Sequence, residues 1–399
     1  MLRILYIATS FPEPGKGATI YTDLAEALLA SGHAITVAVA EQSRNMKSSR
    51  LAKERGIDVL RIVTGNYYGV GFLQKGITTL KIPLLMKRGI RKHLGDMAFD
   101  LLLFEAPPIT NADLMAWAKK YFGCPAYLML KDIFPQNAVD LGIIGEKGPV
   151  RWYFAAEEKK LYRTADFIGC MSPANRNYLL ENNPRLNPEK VELFPNTKRL
   201  AEDYRAAGPE MRNRLGIPDG ACVFLFGGNM GIPQYLDLLC EALKECREDQ
   251  RIWFLFIGRG NERRRLEQTI EKFDIRNALV LDDLHRDDYE RITREIDIGL
   301  IVLDPRFTIP NFPSRILSYM EYAKPVLAAT DRTTDIRDLI LEAGFGEWTW
   351  SGDTKGFIAK LREMSMRDDL AEMGQNGRNY IEEHFQVERS VAILESHFK

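Results

Sequence analysis

Several things this 399-residue sequence lacks narrow what it can be. Its five cysteines, at 124, 170, 222, 240 and 246, form no C-x-x-C pair. That excludes a zinc ribbon or dithiol motif and predicts buried, reduced thiols in a cytoplasmic protein. No stretch reaches the ~18 consecutive apolar residues of a membrane span. The opening MLRILYIATSF is too short and lacks a small-residue cleavage site, so it reads as a buried first strand rather than a signal. Net charge is -1, so no overall field favours nucleic acid and any electrostatic partner must meet a local cluster. The phosphate-cradling G-x-x-x-x-G-K-[ST] is absent, and no G-x-G-x-x-G follows a strand. These absences exclude a P-loop ATPase and argue against a dinucleotide oxidoreductase. Histidine is scarce, with five in all, which leaves little for an imidazole acid/base cluster.

What is present is ordinary globular composition, 45% hydrophobic and 27% charged, at a length that predicts two domains. RILYIAT, AITVAVA, DVLRIV, FDLLLFEAPP and CPAYLMLKD are near-continuous apolar strands separated by helical stretches. That pattern predicts a parallel sheet covered on both faces. It restarts after about residue 200 with ACVFLFGGN, IWFLFIGRGN, NALVLDD, IDIGLIVLD and KPVLAAT. The fold class is therefore α/β, with two doubly wound halves joined near Pro195 and Asn196, where the pattern breaks.

In open α/β sheets ligands bind beyond the carboxyl ends of strands, so the residues just after each strand are the candidates. After the first strand, SFPEPGKGAT places Gly15 and Gly17 before a helix, a loop whose backbone can approach a ligand or serve only as a turn. After AYLML, Lys131 and Asp132 fall at the strand exit. Asp132 would either orient or deprotonate an acceptor hydroxyl or cap the next helix. Glu105, from LLLFEAPP, would share that crevice. In the second half FGGNMG and IGRGN are glycine-bearing exits, where Arg259 either meets a phosphate or is a surface arginine. In IPNFPSRILSYMEYAKPVLAATD, Ser314 suits a helix N-cap and Arg315 adds positive charge, so the helix start would favour an anion such as a diphosphate. Residues 71–95 hold six Lys/Arg and no acid. At helical spacing Ile82, Leu85, Met86, Ile90 and Leu94 share one face, and Lys81, Lys87, Arg88, Arg91 and Lys92 the other. Such a helix, with Tyr67, Tyr68 and Phe72 beside it, would lie on an anionic membrane surface or simply solvate a basic face.

Taken in order, the proline/glycine loop, LAEALLASGHAITVAVA, KDIFPQNAVDLG, CMSPANRNYL, LFPNTK, GGNMGIPQYLDLLCEAL, FIGRGN and PSRILSYMEYAKPVLAATD resemble the retaining GT-B glycosyltransferases of family 4. The similarity is to the branch that builds bacterial O-antigen, capsule and colanic-acid-type polysaccharides, and it spans essentially the whole chain. It implies two Rossmann-like domains facing a cleft: residues 1–195 on the acceptor side and 196–378 for the nucleotide-sugar, with 379–399 a helix crossing back. It also implies a UDP-sugar donor, a lipid-linked saccharide acceptor, no metal or other cofactor, and work at the cytoplasmic membrane face. Residue by residue, Gly17 approaches the donor diphosphate and Asp132 lies on the acceptor side. Gly228 and Asn229 line the nucleotide edge, Gly258 to Gly260 meet the base region, and Ser314 and Arg315 begin the phosphate-facing helix. Two departures stand out. Pro310 and Ser318 occupy the positions where the family often has two glutamates, and Asn229 and Gln234 those of its diphosphate-binding arginine and lysine. Ser318 thus stands at a nucleotide-sugar position without the usual carboxylate. Two other readings remain open: a nucleotide-sugar epimerase on the same fold, and a non-catalytic sugar-nucleotide-binding partner.

Overall fold

The computed structural model describes residues 1–66, 72–205 and 208–398, the side chains of residues 72–77 excepted. The chain divides into two compact units, Met1–Lys198 with Val387–Lys399, and Arg199–Gln386.

The first unit is an eight-stranded sheet. In chain order its strands are β1 (Arg3–Ala8), β2 (Ala34–Gln42), β3 (Arg50–Glu54), β4 (Ile57–Thr64), β5 (Leu101–Ala106), β6 (Ala126–Leu130), β7 (Phe167–Cys170) and β8 (Val191–Leu193). They lie in the order β3-β4-β2-β1-β5-β6-β7-β8. All neighbours are parallel except β3 and β4, which pair antiparallel at the edge. Three of these strands were not expected from apolar patterning. β3, RLAKE, is largely exposed, and β7 and β8 are only four and three residues long. Both faces of β1 are buried. Leu5 and Ile7 join a core with Met86, Ile90, Leu94 and Leu161. Ile4 and Tyr6 join another with Leu24, Leu28, Val387 and Val391. Burial on both sides is why these strands read as continuous apolar runs.

The second unit has six strands: β9 (Cys222–Gly227), β10 (Ile252–Ile257), β11 (Ala278–Leu281), β12 (Ile298–Val302), β13 (Val326–Thr330) and β14 (Gly346–Trp350). Their order is β11-β10-β9-β12-β13-β14. The edge strand β14, GEWTW, is only partly buried, so it too escaped the apolar pattern. Phe224, Phe226, Phe254 and Phe256 fill the core.

The chain returns to the first unit later than the sequence reading had it, at Val387 rather than 379. The helix Leu370–His384 stays with the second unit because Arg378 anchors it there. Its guanidinium donates to the carbonyls of Glu321 at 2.8 Å and Ala201 at 3.1 Å. Beyond it, the Val387 N–H bonds the Lys198 carbonyl at 3.1 Å, and the Thr197 and Ser390 hydroxyls meet at 2.7 Å.

Each sheet reverses its winding once, between β1 and β5 in the first unit and between β9 and β12 in the second. Such switch points open a crevice at the strand ends where loops diverge. In the first unit Ile7 stands opposite Phe104, so the exits of β1 and β5 lie side by side.

Candidate active site

At the first unit's switch point, Glu105 ends β5 and is 3% exposed. Its carboxylate accepts from the Tyr6 hydroxyl and from the Thr9 N–H at 3.4 Å. Burial pushes it up to about 7, against those hydrogen bonds. Both bonds fall on Oε1 and tie Glu105 to the β1 exit loop, so the structure gives it a positioning role where the sequence reading expected one on substrate.

Lys131 leaves β6 beside it. Its N–H bonds the Ala106 carbonyl at 2.8 Å, and its ammonium stands 5.2 Å from the Phe194 ring centroid. Burial lowers it to about 8, partly offset by the Glu105 charge. Asp132 follows. Its Oδ1 accepts from the Ile133 N–H at 2.7 Å and its Oδ2 from Asn137 Nδ2 at 2.6 Å. Burial raises it to about 6 despite both bonds. It does not cap the next helix, whose cap position is Pro135. Gly17 sits across the β1 exit at φ 109°, and a side chain there would meet open space. Backbone conformation alone therefore asks for glycine. Its carbonyl accepts from Arg55 at 2.6 Å. The helix that follows is closed by a Thr19–Thr22 capping box.

At the second unit's switch point the materials differ. Gly228 and Asn229 are exposed at the β9 exit. Gly258, at φ 144°, packs so tightly that a Cβ would sit on the Gly228 carbonyl oxygen. The β9 and β10 exits therefore touch backbone to backbone, with the Gly228 N–H on the Ile257 carbonyl at 2.8 Å. Arg315 lies over the Phe226 ring, 4.4 Å from its centroid, and donates to Gln234 Oε1 at 2.6 Å. A Cβ on Gly228 would come within 3.9 Å of its guanidinium. Arg315 Nη1 is buried and has no hydrogen-bond partner among the described residues. Burial lowers its pKa, yet a guanidinium keeps its charge.

Three expectations for this unit are corrected. Ser314 makes no capping bond, because its backbone is already helical, at φ -62° and ψ -18°, whereas an N-cap side chain reaches back from an extended backbone. The N–H groups expected to face an anion instead bond backward, Ile316 to Pro313 at 3.2 Å and Leu317 to Ser314 at 3.1 Å. Arg259 is 69% exposed and pairs with Asp283 at 3.2 Å, outside the switch point. Ser318 is half-buried within the helix Arg315–Glu321. Glu321, three residues on, is structural: it is buried and accepts from the Ala201 N–H at 2.9 Å. It does not stand in for the carboxylates absent at Pro310 and Ser318.

Sequence reasoning missed a polar patch beside this site. Asp331 ends β13 and its Oδ1 holds the Thr333 N–H at 2.9 Å and the Thr334 N–H at 3.0 Å. The two threonine hydroxyls hold the 309–311 loop through the Ile309 and Asn311 carbonyls at 3.0 and 2.6 Å. Asp331 Oδ2 and Asn311 Nδ2 are buried without a partner among the described residues. The signal was there, an aspartate directly after an apolar strand.

The basic helix, Phe72–Leu94, turns its apolar face inward. Met86, Ile90 and Leu94 are buried and Ile82 packs on the same core. Lys81, Arg88, Arg91 and Lys92 are exposed, as are Leu80 at 58% and Leu84 at 49%. The apolar face expected to meet a membrane is thus spent in the core. The outward surface is cationic with two leucines. Tyr67 and Tyr68 lie outside the described residues. A second exposed apolar group, not foreseen, is Ile143, Val150 and Trp152, the last 75% exposed. Among the described residues no helix is long and apolar enough to cross a membrane, and no group of three or more His, Cys, Asp or Glu could hold a metal ion.

Comparison with known proteins was informative for both units. Residues 16–197 match the family described as glycosyl transferase 4-like domain, and residues 208–380 match glycosyl transferases group 1. The putative colanic acid biosynthesis glycosyl transferase WcaI of Escherichia coli (strain K12) is 22% identical over 365 residues, covering 85% of this chain and 86% of WcaI. The probable glycosyltransferase WbjE of Pseudomonas aeruginosa is 21% identical over 265 residues, covering 65% of this chain and 64% of its own. Among solved structures, sucrose-phosphate synthase from Thermosynechococcus elongatus superposes with a TM-score of 0.79 at 14% identity, over 100% of this chain and 98% of its own. Anabaena HepE, solved with UDP and glucose, gives 0.70 at 16% identity over 99% of both chains.

Proposed function

We propose that this chain, a glycosyltransferase that carries a glycosyl transferase 4-like domain followed by a glycosyl transferases group 1 domain, moves a sugar from a UDP-sugar to a lipid-linked glycan acceptor with retention at the anomeric carbon. Its two parallel-sheet α/β domains have GT-B architecture. The relative concerned with colanic acid synthesis, and a neighbour solved with UDP and glucose, support a role in bacterial surface polysaccharide assembly.

The observation that carries the donor reading is Arg315. A buried guanidinium nitrogen without a partner costs the fold roughly 1–3 kcal/mol or more. A diphosphate at the β9/β12 switch point would supply the missing acceptor. As the sugar leaves, the nucleoside diphosphate gains negative charge, and a preorganised cation lowers that barrier without reorganising. Asn229 and Ser318 would line the nucleotide-sugar edge, and the exposed Gly228 lets the diphosphate lie against backbone. In the first unit Asp132, raised to about 6 by burial, would orient the acceptor hydroxyl and accept its proton. Lys131 would balance the local charge, and Gly17 would keep the β1 exit open to the donor phosphates. No metal is required in this scheme. The exposed cations of the helix Phe72–Leu94, with Leu80 and Leu84, would hold the enzyme at an anionic inner membrane face. Each cation near such a surface contributes about 1 kcal/mol.

The test is sugar transfer from a panel of UDP- and GDP-sugars to lipid-linked acceptors, run with a UDP thermal-shift assay. UDP should raise the melting temperature of the wild type and not of Arg315→Gln. That variant should lose about 10²–10³ in kcat, the scale seen for removing one charge-stabilising donor. A folded protein that neither transfers nor hydrolyses any donor in the panel would remove the reading.

A further inference from the structure

A cavity of about 340 Å³ opens in the first unit at the exits of β1 and β2, with Arg61 of β4 in its wall. Of the site residues discussed above only Thr9 lies on it. The volume falls in the usual range of small-molecule sites, roughly 300–1,000 Å³. Arg61 lines it although only 2% exposed. Its Nε and Nη2 bind both carboxylate oxygens of Glu54, at 2.9 and 2.7 Å. Its Nη1 stands 3.4 Å from Glu41 Oε2. Glu41 Oε1 in turn holds Asn45 Nδ2 at 2.7 Å. Glu13 lies at the rim, paired with Lys16 at 2.7 Å and Arg50 at 3.2 Å.

The charges balance. Arg61, Arg50 and Lys16 face Glu13, Glu41 and Glu54, three against three. An anionic guest would meet Glu41 and Glu13 with no cation left unpaired. A hydroxylated neutral guest meets something different. Paired carboxylates keep spare lone pairs that accept from hydroxyls, while Asn45 and the Nη1 side of Arg61 retain capacity to donate. Phe11 and Met46 add an apolar wall, which suits the C–H face of a sugar ring. Thr9, whose N–H reaches Glu105 at 3.4 Å, also lines the cavity, so a guest here sits one residue from the Glu105–Lys131 cluster.

We infer that this cavity binds an uncharged sugar residue of the acceptor glycan, with Glu41 and Asn45 reading its hydroxyls and Arg61 holding Glu41 in place. The inference rests on the transferase reading and adds the substrate class: acceptors ending in a neutral hexose or N-acetylhexosamine rather than a uronic acid or sugar phosphate. The test uses saturation-transfer NMR on the full-length protein, with methyl hexosides, methyl N-acetylhexosaminides, methyl uronates and hexose phosphates as probes. The neutral glycosides should give signal and the anionic ones should not. Glu41→Gln and Asn45→Ala should each weaken neutral-glycoside binding by about fivefold to tenfold, the scale of one lost hydrogen bond. UDP thermal shifts should be unchanged in both variants. Binding of uronate or phosphate equal to or tighter than that of the neutral probes would overturn the inference. So would neutral binding unaltered in both variants, or no binding of any probe. Loss of UDP binding and transfer with glycoside binding intact would instead count against the transferase reading while the cavity assignment stood.

Discussion

The two switch points put different materials at strand ends that look alike in sequence. At β9/β12 the working surface is mostly backbone: Gly228 and Asn229 stand exposed, Gly258 presses on the Gly228 carbonyl, and Arg315 brings one cation. At β1/β5 it is ionisable side chains in low-dielectric surroundings, with Glu105 raised to about 7, Asp132 raised to about 6 and Lys131 lowered to about 8. A backbone surface is insensitive to pH and intolerant of added atoms. A surface of desolvated side chains accepts isosteric replacement but responds to every change of protonation. The contrast matches the roles proposed above, a polyanion held by one unit and a proton managed by the other.

The contrast can be broken most directly at Gly258. Gly258→Ala puts a methyl group on the Gly228 carbonyl at a backbone angle of 144°. Neither exit loop can yield without losing backbone bonds, so we expect a loss of about 4 kcal/mol or more in the second unit, read by denaturant unfolding. An equally stable variant would show that the two exits do not depend on contact.

Asp132→Asn is the counterpart in the first unit. Asp132 has a folded pKa of about 6, above the ordinary carboxylate value, so its ionised, proton-accepting form fills as pH rises through 6. Wild-type kcat/KM should therefore fall below pH 6. The asparagine variant should be lower by about 10²–10⁴ and lack that limb. A variant that keeps the limb would remove Asp132 from the proton path.

Lys131→Met sharpens the comparison on stability alone. Burial lowers the folded pKa to about 8, so the fold favours the neutral amine. The penalty for a charged Lys131 is present below pH 8 and fades as pH rises toward the ordinary lysine value. The methionine variant should gain about 1–3 kcal/mol at pH 6–7, with the gain vanishing near pH 10. Thermal melts across that range check the sign. The smallest effect per residue belongs to the outer surface. Neutralising Lys81, Arg88, Arg91 and Lys92 should weaken binding to anionic vesicles by about 1 kcal/mol per residue, without changing turnover of a soluble acceptor analogue. Sedimentation unchanged by all four would free the helix of any docking role.

Much of the site was legible because chemistry at a switch point falls directly after an apolar run. Lys131, Asp132 and Gly228 announce themselves that way, while Arg315 is marked only by opening an amphipathic run after a proline-rich loop. Arg61, Glu41 and Glu54 do not. They come from three strands, one of them the exposed edge strand β3, and nothing local marks them as one cluster. Ser314 misled because a serine ahead of an amphipathic run reads as a cap, while its own backbone angles, set by the proline-rich loop before it, decide otherwise.

The sequence by itself determined the two parallel sheets, the alternation of strand and helix and the residues that stand at strand ends, because burial on both faces of a strand writes itself into consecutive positions. Only the tertiary structure decided which ends lie side by side, that Glu105 is sealed while Asp132 is not, that the apolar face of the basic helix faces the core, and that one nitrogen of Arg315 is left unpaired among the described residues. Those outcomes depend on what packs against each side chain from distant parts of the chain. Hydration, charge balance and protonation follow from that packing rather than from neighbours in sequence.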